Sequence, residues 1–225
     1  MEFLSGGTLA PARWAVLYAA HPWLERYPWQ LCRYGKREYL CRFREPVGQL
    51  LFLLEGRVSV SLTPPHGRTH IITWSLTEGL ICGDVEVALG NTTASADLRS
   101  EDGALCLSLP IAPHLEGLRE DNEFLRYALA RLSDQMIHQS IYTANNLLFL
   151  LETRMAGYVL AYSEDGIFRA NLTHTAELLG ASYRQLSRVM RSFTEQGLLK
   201  KDGDSWRITG WAALEAMAAD MEQLP

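Results

Sequence analysis

The chain has 225 residues, of which 48% are hydrophobic, and a formal net charge of −5. This length gives room for two modest domains, and no apolar run is long enough to span a bilayer, which excludes a membrane-embedded protein. The segment from Met1 to Pro11 lacks a charged start followed by an apolar core, so no secretory signal is expected and the cytoplasm is the predicted location.

Short strands separated by Gly or Pro turns are predicted between Leu31 and Leu109. The best-defined ones are Gln49–Leu54, Arg57–Leu62, Ile71–Leu76 and Ala104–Leu109. From Val58 onward every second residue is apolar, and Ser59 and Ser61 lie between them, as expected for a strand with one buried face. The pattern predicts an antiparallel β-roll or jelly roll.

The longest helical pattern runs from Asp121 to Leu151 without Gly or Pro. Its apolar stripe has coiled-coil spacing and is formed by Leu125, Leu129, Leu132, Met136 and Leu147, with Ser140 and Thr143 interrupting it. A dimerisation helix is the economical interpretation, and a core helix within one subunit is the alternative. The predicted domains are a β-roll sensor at 1–120, this helix at 121–151 and a DNA-binding domain at 152–225.

Two helices joined by a sharp turn are predicted after Leu172. Thr173 is placed to cap the first, and Gly180 lies at the turn. Ser182 and Gln185 have the spacing of a capping box, which predicts the start of the second helix. Gly197 then ends that helix, and the following residues form two strands around a turn at Asp202-Gly203, so the segment is predicted to be a winged helix-turn-helix.

The second helix is predicted to have an apolar face and a cationic face. The apolar residues are Leu186, Val189, Met190 and Phe193. Arg184 and Arg188 are the best candidates for base contacts, because arginine can donate two hydrogen bonds to one guanine. The remaining candidates are Ser182 and Tyr183 for phosphate or base edges, and Arg191, Lys200 and Lys201 for backbone phosphates. An ordinary amphipathic hairpin with a solvated arginine face is the alternative.

Net charge does not contradict this interpretation. Residues up to Asp165 carry 14 basic and 19 acidic side chains, and the later residues carry seven of each. Five of the seven later cations lie between Arg184 and Lys201. A cluster of this kind suffices for DNA binding in a neutral domain.

The stretch Ser182-Tyr-Arg-Gln-Leu-Ser-Arg188, followed by Glu195-Gln-Gly-Leu-Leu199, resembles the C-terminal domain of the Crp/Fnr family of bacterial transcription regulators. The Ser-Tyr-Arg start and the Leu-Leu-Lys wing resemble the YeiL-like branch. The resemblance implies that Tyr183 or Arg184, Ser187 and Arg188 are the DNA-reading positions. The family's pattern usually has Glu where this chain has Arg184, so the resemblance implies the binding geometry and not the operator sequence. It also implies a cyclic-nucleotide-binding fold, with Leu54–Val58 at the hairpin glycine and Ile81–Glu86 at the phosphate cassette.

In this resemblance the effector pocket falls on residues of the roll and of the long helix. They are Gly83, Asp84, Thr92, Thr93, Ser140 and Thr143. Asp84 matches a ribose-binding carboxylate, but Asn91–Ala96 has no arginine to pair with a phosphate. Cyclic AMP is therefore not the expected effector, whose identity stays open, and a roll that serves only as a packed structural domain is the alternative.

Four cysteines, Cys32, Cys41, Cys82 and Cys106, suit an iron-sulfur cluster in number. Their spacing does not favour a cluster, because none forms a Cys-x-x-Cys motif, and small core residues are the preferred interpretation. A disulfide between Cys32 and Cys41 is a further alternative.

The sequence as a whole predicts an α+β protein that regulates transcription as a homodimer on palindromic double-stranded DNA, with RNA polymerase as a candidate partner. Enzymes are not favoured, because the chain has no P-loop, nucleophile elbow, dinucleotide glycine motif or cupin metal motif. The competing hypothesis is a degenerate sensor that dimerises and binds a protein partner without reading DNA.

Overall fold

The computed structural model describes residues 1–4, 9–62, 70–76, 79–219 and 221. The chain divides into two compact units, Met1–Gln135 and Met136–Pro225. None of the helices in these described ranges combines the length and hydropathy that crossing a bilayer requires.

The N-terminal unit is built on an antiparallel sheet. Its strands are β1 (Glu2–Phe3), β2 (Gln30–Tyr34), β3 (Tyr39–Cys41), β4 (Gln49–Leu62), β5 (His70–Leu76), β6 (Ile81–Cys82) and β7 (Asp97–Pro110). The strand order is β1-β2-β7-β4-β5, with β3 also paired to β7 and β6 to β4. The helices are α1 (Pro11–Ala20), a 3-10 turn (Pro22–Arg26), α2 (Asp84–Leu89), α3 (Ile111–Glu120) and α4 (Asn122–Leu148), which continues past the boundary between the units.

The core of this unit joins the sheet to the start of α4. Trp23, Phe52 and Phe124 are almost fully buried in it. The Asp121 carboxylate accepts hydrogen bonds from the backbone amides of Glu123 at 3.0 Å and Phe124 at 3.3 Å, which satisfies two donors at the start of α4. Arg26 donates to the same carboxylate at 2.6 Å. The long helix therefore begins where the sequence predicts, at a position fixed by both packing and capping.

The antiparallel sheet is confirmed, but the break predicted between the strands Gln49–Leu54 and Arg57–Leu62 is wrong. Residues 49–62 form one continuous strand, β4, paired along β7 from Gln49 opposite Pro110 to Ser61 opposite Asp97. Gly56 lies at a register shift in this pairing, with φ of +100°, and forms no hairpin turn. A bulge and a hairpin both favour glycine, so the sequence alone did not distinguish them.

The predicted alternation after Val58 is also wrong in part. Ser59 and Ser61 are buried, and the Ser59 hydroxyl donates to a carboxylate oxygen of Glu101 at 2.5 Å. A small hydroxyl side chain with such a partner can be buried at little cost. This segment of β4 is therefore covered on both faces.

The C-terminal unit combines helices with a small antiparallel sheet. Its helices after α4 are α5 (Leu151–Ala161), α6 (Leu172–Leu178), α7 (Tyr183–Glu195) and α8 (Trp211–Ala218). Its strands are β8 (Ser163–Glu164), β9 (Ile167–Phe168), β10 (Leu199–Asp202) and β11 (Ser205–Ile208), in the order β10-β11-β9-β8. The predicted helix-turn-helix with a wing is confirmed, and β8 and β9 extend the wing into a four-stranded sheet that the sequence did not predict.

Replacement of Gly56 by alanine is expected to destabilise the N-terminal unit by about 1–3 kcal/mol. A Cβ at this position would overlap the Gly103 carbonyl oxygen and would require the positive φ that L-residues avoid. Hydrogen exchange of β4 and β7 amides measures the effect. Gly48→Ala is the control, because a Cβ there meets no atom within 4 Å. Equal losses in the two variants would contradict the assigned role of Gly56.

Candidate nucleic-acid interface

The first helix of the motif, α6, is capped by Asn171 and not by Thr173. The Asn171 side chain accepts hydrogen bonds from the backbone amides of Thr173 at 3.0 Å and His174 at 3.3 Å. Asparagine is at least as good a cap as threonine, and Asn171 directly precedes the first helical residue, Leu172, whereas Thr173 already lies within α6. At the other end, Gly180 has φ of +60°, and Ala181 donates to the Ala176 carbonyl at 2.8 Å, which closes the turn.

The second helix, α7, starts at the predicted capping box. Gln185 donates its backbone amide to the Ser182 hydroxyl at 3.2 Å, and the Gln185 side-chain oxygen accepts from the Ser182 amide at 2.9 Å. The four predicted apolar residues are all buried, and they are Leu186, Val189, Met190 and Phe193. Capping fixes where α7 begins, and burial fixes its rotation about its own axis.

The rotation of α7 leaves its cations in solvent. Arg184, Arg188 and Arg191 are exposed, and so are Lys200 and Lys201 on the wing. Within the described ranges none of these five side chains forms an ion pair, whereas every ion pair found there belongs to the N-terminal unit. Their positive charge is therefore available to an external anion.

The smaller candidates on α7 differ in accessibility. Tyr183, in the first turn, is 56% exposed. Ser187 is half-buried, and its hydroxyl oxygen is shielded from solvent and has no hydrogen-bond partner among the described residues. A base contact by Ser187 remains a prediction, and it requires local adjustment that Arg184 and Arg188 do not need.

The wing is a hairpin whose turn is displaced by one residue from the predicted position. Asp202 pairs with Ser205, so Gly203 and Asp204 form the turn. Lys200 lies opposite the exposed Arg207 on β11, while Lys201, the next residue along β10, projects to the other face. The sequence reasoning missed Arg207 as a phosphate-contact candidate, because the predicted turn at Asp202-Gly203 pairs Lys200 with Ser205 and not with Arg207.

Arg154 is a second side chain that the sequence reasoning missed. It lies on α5, and its guanidinium donates to the Asn146 side-chain oxygen near the end of α4 and to the Leu179 carbonyl at the end of α6. Burial lowers the pKa of Arg154. The only sequence signal was a charged residue within the apolar pattern of α5. Arg154 therefore ties α4, α5 and the helix-turn-helix together within the C-terminal unit.

The predicted dimer stripe on α4 separates into two kinds of residue. Leu125 and Leu132 are half-buried, and Leu125 packs on the core around Phe124. By contrast, Leu129, Met136 and Leu147 are exposed to 65%, 66% and 78%. The alternative of a core helix thus accounts for the first turns, and an uncovered apolar surface follows them. Ser140 and Thr143 are also exposed, and the Ser140 hydroxyl donates to the Met136 carbonyl at 2.8 Å.

The predicted effector residues of the roll surround α2 and the loop that follows it. Gly83 precedes this helix, Asp84 is its first residue and is buried, and Thr92 and Thr93 are exposed in the loop. The loop is held from inside by buried Glu86, whose carboxylate accepts a hydrogen bond from the Ser95 amide at 2.8 Å. A backbone amide in this loop is therefore occupied by an acidic side chain.

Asp84 adds a second buried carboxyl to this region. Burial raises the pKa of Asp84 to about 6, although the Val85 amide and its own amide donate to it and lower the pKa. Arg131 of α4 also lowers the pKa by its charge, without forming an ion pair within the described ranges. The cassette thus has two buried acidic groups and no arginine of its own.

The cysteines form two pairs, neither of which the sequence predicted. Cys32 on β2 lies directly opposite Cys106 on β7, and Cys41 packs in the same apolar cluster as Cys82. All four are free thiols, and Cys32 and Cys41 are not brought together. In the part of the chain that the structure describes, no three metal-ligating side chains converge.

Asp84→Asn is expected to stabilise the N-terminal unit above about pH 7 by roughly 2 kcal/mol. Because the folded pKa of Asp84 is raised, its favourable contribution is complete below the unfolded pKa and is lost as pH rises through about 6. Urea unfolding of both proteins at about pH 4 and about pH 8 measures the effect, with exposed Asp134→Asn as the control. A gain that is the same at both pH values would contradict ionisation of Asp84 as its cause.

Arg154→Met is expected to destabilise the C-terminal unit by about 1–3 kcal/mol, because the Leu179 carbonyl and the Asn146 amide lose a charged donor. Hydrogen exchange of α6 and α7 amides is the measurement. Exposed Arg169→Met removes the same charge without these bonds and should change exchange little. If protection is lost equally in both variants, the hydrogen bonds of Arg154 are not what holds α6 and α7 in place.

Comparison with known families gives two matches that follow one another along the chain. Residues 31–121 match the cyclic nucleotide-binding domain, and residues 149–217 match the Crp-like helix-turn-helix domain. Regulatory protein YeiL of Escherichia coli O157:H7 is 27% identical over 193 residues, which are 86% of this chain and 87% of that protein.

Solved structures of similar fold are also bacterial regulators. A regulator of the CRP family from Thermus thermophilus is 22% identical with a TM-score of 0.67, covering 86% of this chain and 100% of its own. The global regulator CLP of Xanthomonas campestris is 19% identical with a TM-score of 0.70, covering 88% and 98%. These likenesses support the fold, and none of the proteins is named as an enzyme, which agrees with the prediction.

With a cyclic-nucleotide-binding fold followed by a Crp-like helix-turn-helix whose cationic face is uncovered, the chain belongs to the Crp/Fnr family of transcription regulators.

Proposed function

We propose that this regulator binds palindromic DNA as a homodimer, reads bases with α7, and responds to an effector other than cyclic AMP. The observation that carries the proposal is the uncovered cationic face of α7, because its apolar face is buried and its arginines have no ion-pair partner within the described residues. A second helix of this form enters the major groove in related motifs.

Within this interface the side chains have different roles. Arg184 and Arg188, one turn apart on α7, have the length and paired donors needed to bind guanine O6 and N7. Arg191 lies farther along the helix, and Lys200 and Arg207 lie on one face of the wing. These three are assigned to phosphates, which supply affinity without sequence preference.

Dimerisation is supported by the uncovered apolar surface of α4. Leu129 and Met136 are seven residues apart, so they lie on the same side of the helix, and both are largely exposed. Exposed apolar side chains in such a row mark an interaction surface. A second copy of the chain is the proposed occupant, because a two-fold dimer presents two recognition helices to the two halves of a palindrome.

An effector other than cyclic AMP is supported by the charge of the cassette. A cyclic nucleotide carries a phosphate anion, which needs a cation or free amides at its binding site. Here Glu86 of α2 occupies the Ser95 amide, and Asp84 at the start of α2 is a second buried carboxyl whose pKa the charge of Glu86 helps to raise, so the region is acidic where an anion would bind. A neutral or cationic effector fits this charge better.

The competing function is a dimeric sensor that binds a protein partner without contacting DNA. The unpaired arginines favour DNA, whose dense negative charge they match. RNA polymerase is retained as a further proposed partner and the cytoplasm as the proposed location. A regulator of bacterial transcription binds the chromosome, and both the chromosome and RNA polymerase lie in the cytoplasm.

Arg188→Ala is expected to weaken operator binding by about 1–3 kcal/mol and to relax preference at one base pair of each half-site. Selection of binders from random duplex DNA, followed by affinity measurement, tests this. Arg191→Ala should instead weaken binding evenly across sequences and reduce the salt dependence by about one ion.

Arg33→Ala is the matched control for both variants, because it removes an exposed arginine from the N-terminal unit. No enriched sequence with the folded wild-type dimer, or an Arg188→Ala protein that selects the same palindrome as strongly, would move the partner-binding function ahead.

Met136→Lys is expected to weaken the dimer at least about tenfold, because it places a charge in the apolar contact of both subunits. Sedimentation analysis over a concentration series measures the change. Asp134→Lys introduces the same charge on the opposite side of α4 and should leave the dimer intact. A wild-type protein that stays monomeric throughout the series would refute the homodimer.

A further inference from the structure

Two of the four thiols line one cavity of the N-terminal unit. The cavity has a volume of about 220 Å³, and its lining includes Tyr34, Cys41, Gln49 and Cys82. Cys41 lies on β3, which pairs with β7, whereas Cys82 lies on β6, which pairs with β4. The two thiols therefore come from strands that are paired with different neighbours in the sheet.

The two thiols belong to one apolar cluster of the roll, in which Cys41 packs against the buried residues that include Cys82. The Cys41 thiol donates to the Ala96 carbonyl, with the sulfur and oxygen 3.6 Å apart. The contact with Cys41 and burial raise the pKa of Cys82. Because Cys82 is buried and Cys41 is only half-buried, a small reagent in the cavity meets Cys41 first.

From this arrangement we propose that Cys41 and Cys82 form a peroxide-reactive thiol pair, which closes to a disulfide between β3 and β6. Cys41 is the attacking residue and Cys82 the resolving one. The oxidant is a small hydroperoxide, for which the cavity has room, since a water molecule in the liquid occupies about 30 Å³.

The reaction balances in two steps. The Cys41 thiolate attacks an oxygen of the hydroperoxide, the O–O bond breaks, and the leaving oxygen takes a proton as water or an alcohol. Cys82 then attacks the sulfur of the resulting sulfenic acid, the S–O bond breaks, and the departing hydroxide takes the Cys82 proton as water. Two thiols lose two electrons and two protons, and one peroxide bond is reduced.

The other pair supplies an internal comparison. Cys106 donates to Cys32, and this hydrogen bond lowers the pKa of Cys32. Both residues are fully buried, and neither lines the cavity. Reactivity toward a dissolved oxidant needs access as well as ionisation, so the Cys32 and Cys106 pair stays reduced.

The position of the proposed disulfide gives it a consequence for the roll. Cys82 directly precedes Gly83 and Asp84, where α2 and the cassette begin. A bond to Cys41 would tie the start of α2 to β3 and fix the wall of the cavity. Oxidation would thus change the same region that the proposed function assigns to the effector, although the thiol reaction itself does not depend on DNA binding.

The test uses the full chain, reduced and then exposed to one equivalent of hydrogen peroxide. Two of the four thiols should disappear, and peptide mapping should join the peptides that contain Cys41 and Cys82, with reversal by dithiothreitol. The Cys106→Ala control should react in the same way. The Cys41→Ser variant should retain its remaining thiols, and circular dichroism checks that it is folded.

A second readout does not require the disulfide. In Cys82→Ala, which lacks the resolving thiol, the sulfenic acid on Cys41 should accumulate and be trapped by dimedone as an adduct at that residue. The proposal is overturned by a disulfide between Cys32 and Cys106, by an adduct at another cysteine, or by four thiols that persist in the folded wild-type protein.

Discussion

Burial of one face of α7 is the constraint on which the DNA-reading arrangement depends. Four apolar side chains are covered on this face, and each fully buried side chain of their size contributes about 1.5–3 kcal/mol. Since side chains on a helix have fixed angular positions, burying this face determines where Arg184 and Arg188 project. The capping box at Ser182 fixes the residue at which α7 begins, and thus the position of these arginines along the helix axis. Packing and capping together therefore hold the cationic face in one orientation.

The two units use charge in opposite ways. In the N-terminal unit several cations are paired with carboxylates, as in the contact of Arg26 with Asp121, so part of its charge stabilises the unit itself. In the C-terminal unit the exposed cations of α7 and the wing have no such partners within the described residues, and Arg154 uses its charge on neutral oxygens. Unpaired surface charge contributes little to folding. Leaving these cations unpaired therefore costs little free energy of folding, and the cations remain available to bind a ligand.

The sequence predicted elements whose signals are local and left out contacts made over long distances. Capping and periodicity depend on residues that are close together in the sequence, so α7 and the start of α4 were predicted at the right positions. Gly56 was assigned to a hairpin because a bulge and a turn need the same conformational freedom, and only its partner strand separates them. The pairing of Cys41 with Cys82 depends on how separate strands come together, which spacing does not encode. Arg154 was missed for the same reason, since it lies on α5 and its partners come from two other helices, α4 and α6.

The long ladder between β4 and β7 has a consequence for the order of folding. Its pairs join distant parts of the chain, with Gln49 opposite Pro110, whereas α6, α7 and the wing contact their sequence neighbours. Contacts between distant residues require large loops to close first and therefore form slowly. The C-terminal unit should accordingly acquire its structure faster than the roll. Full-length chains that refold from the denatured state would then pass through a period in which the helix-turn-helix is formed before the roll that is proposed to control it.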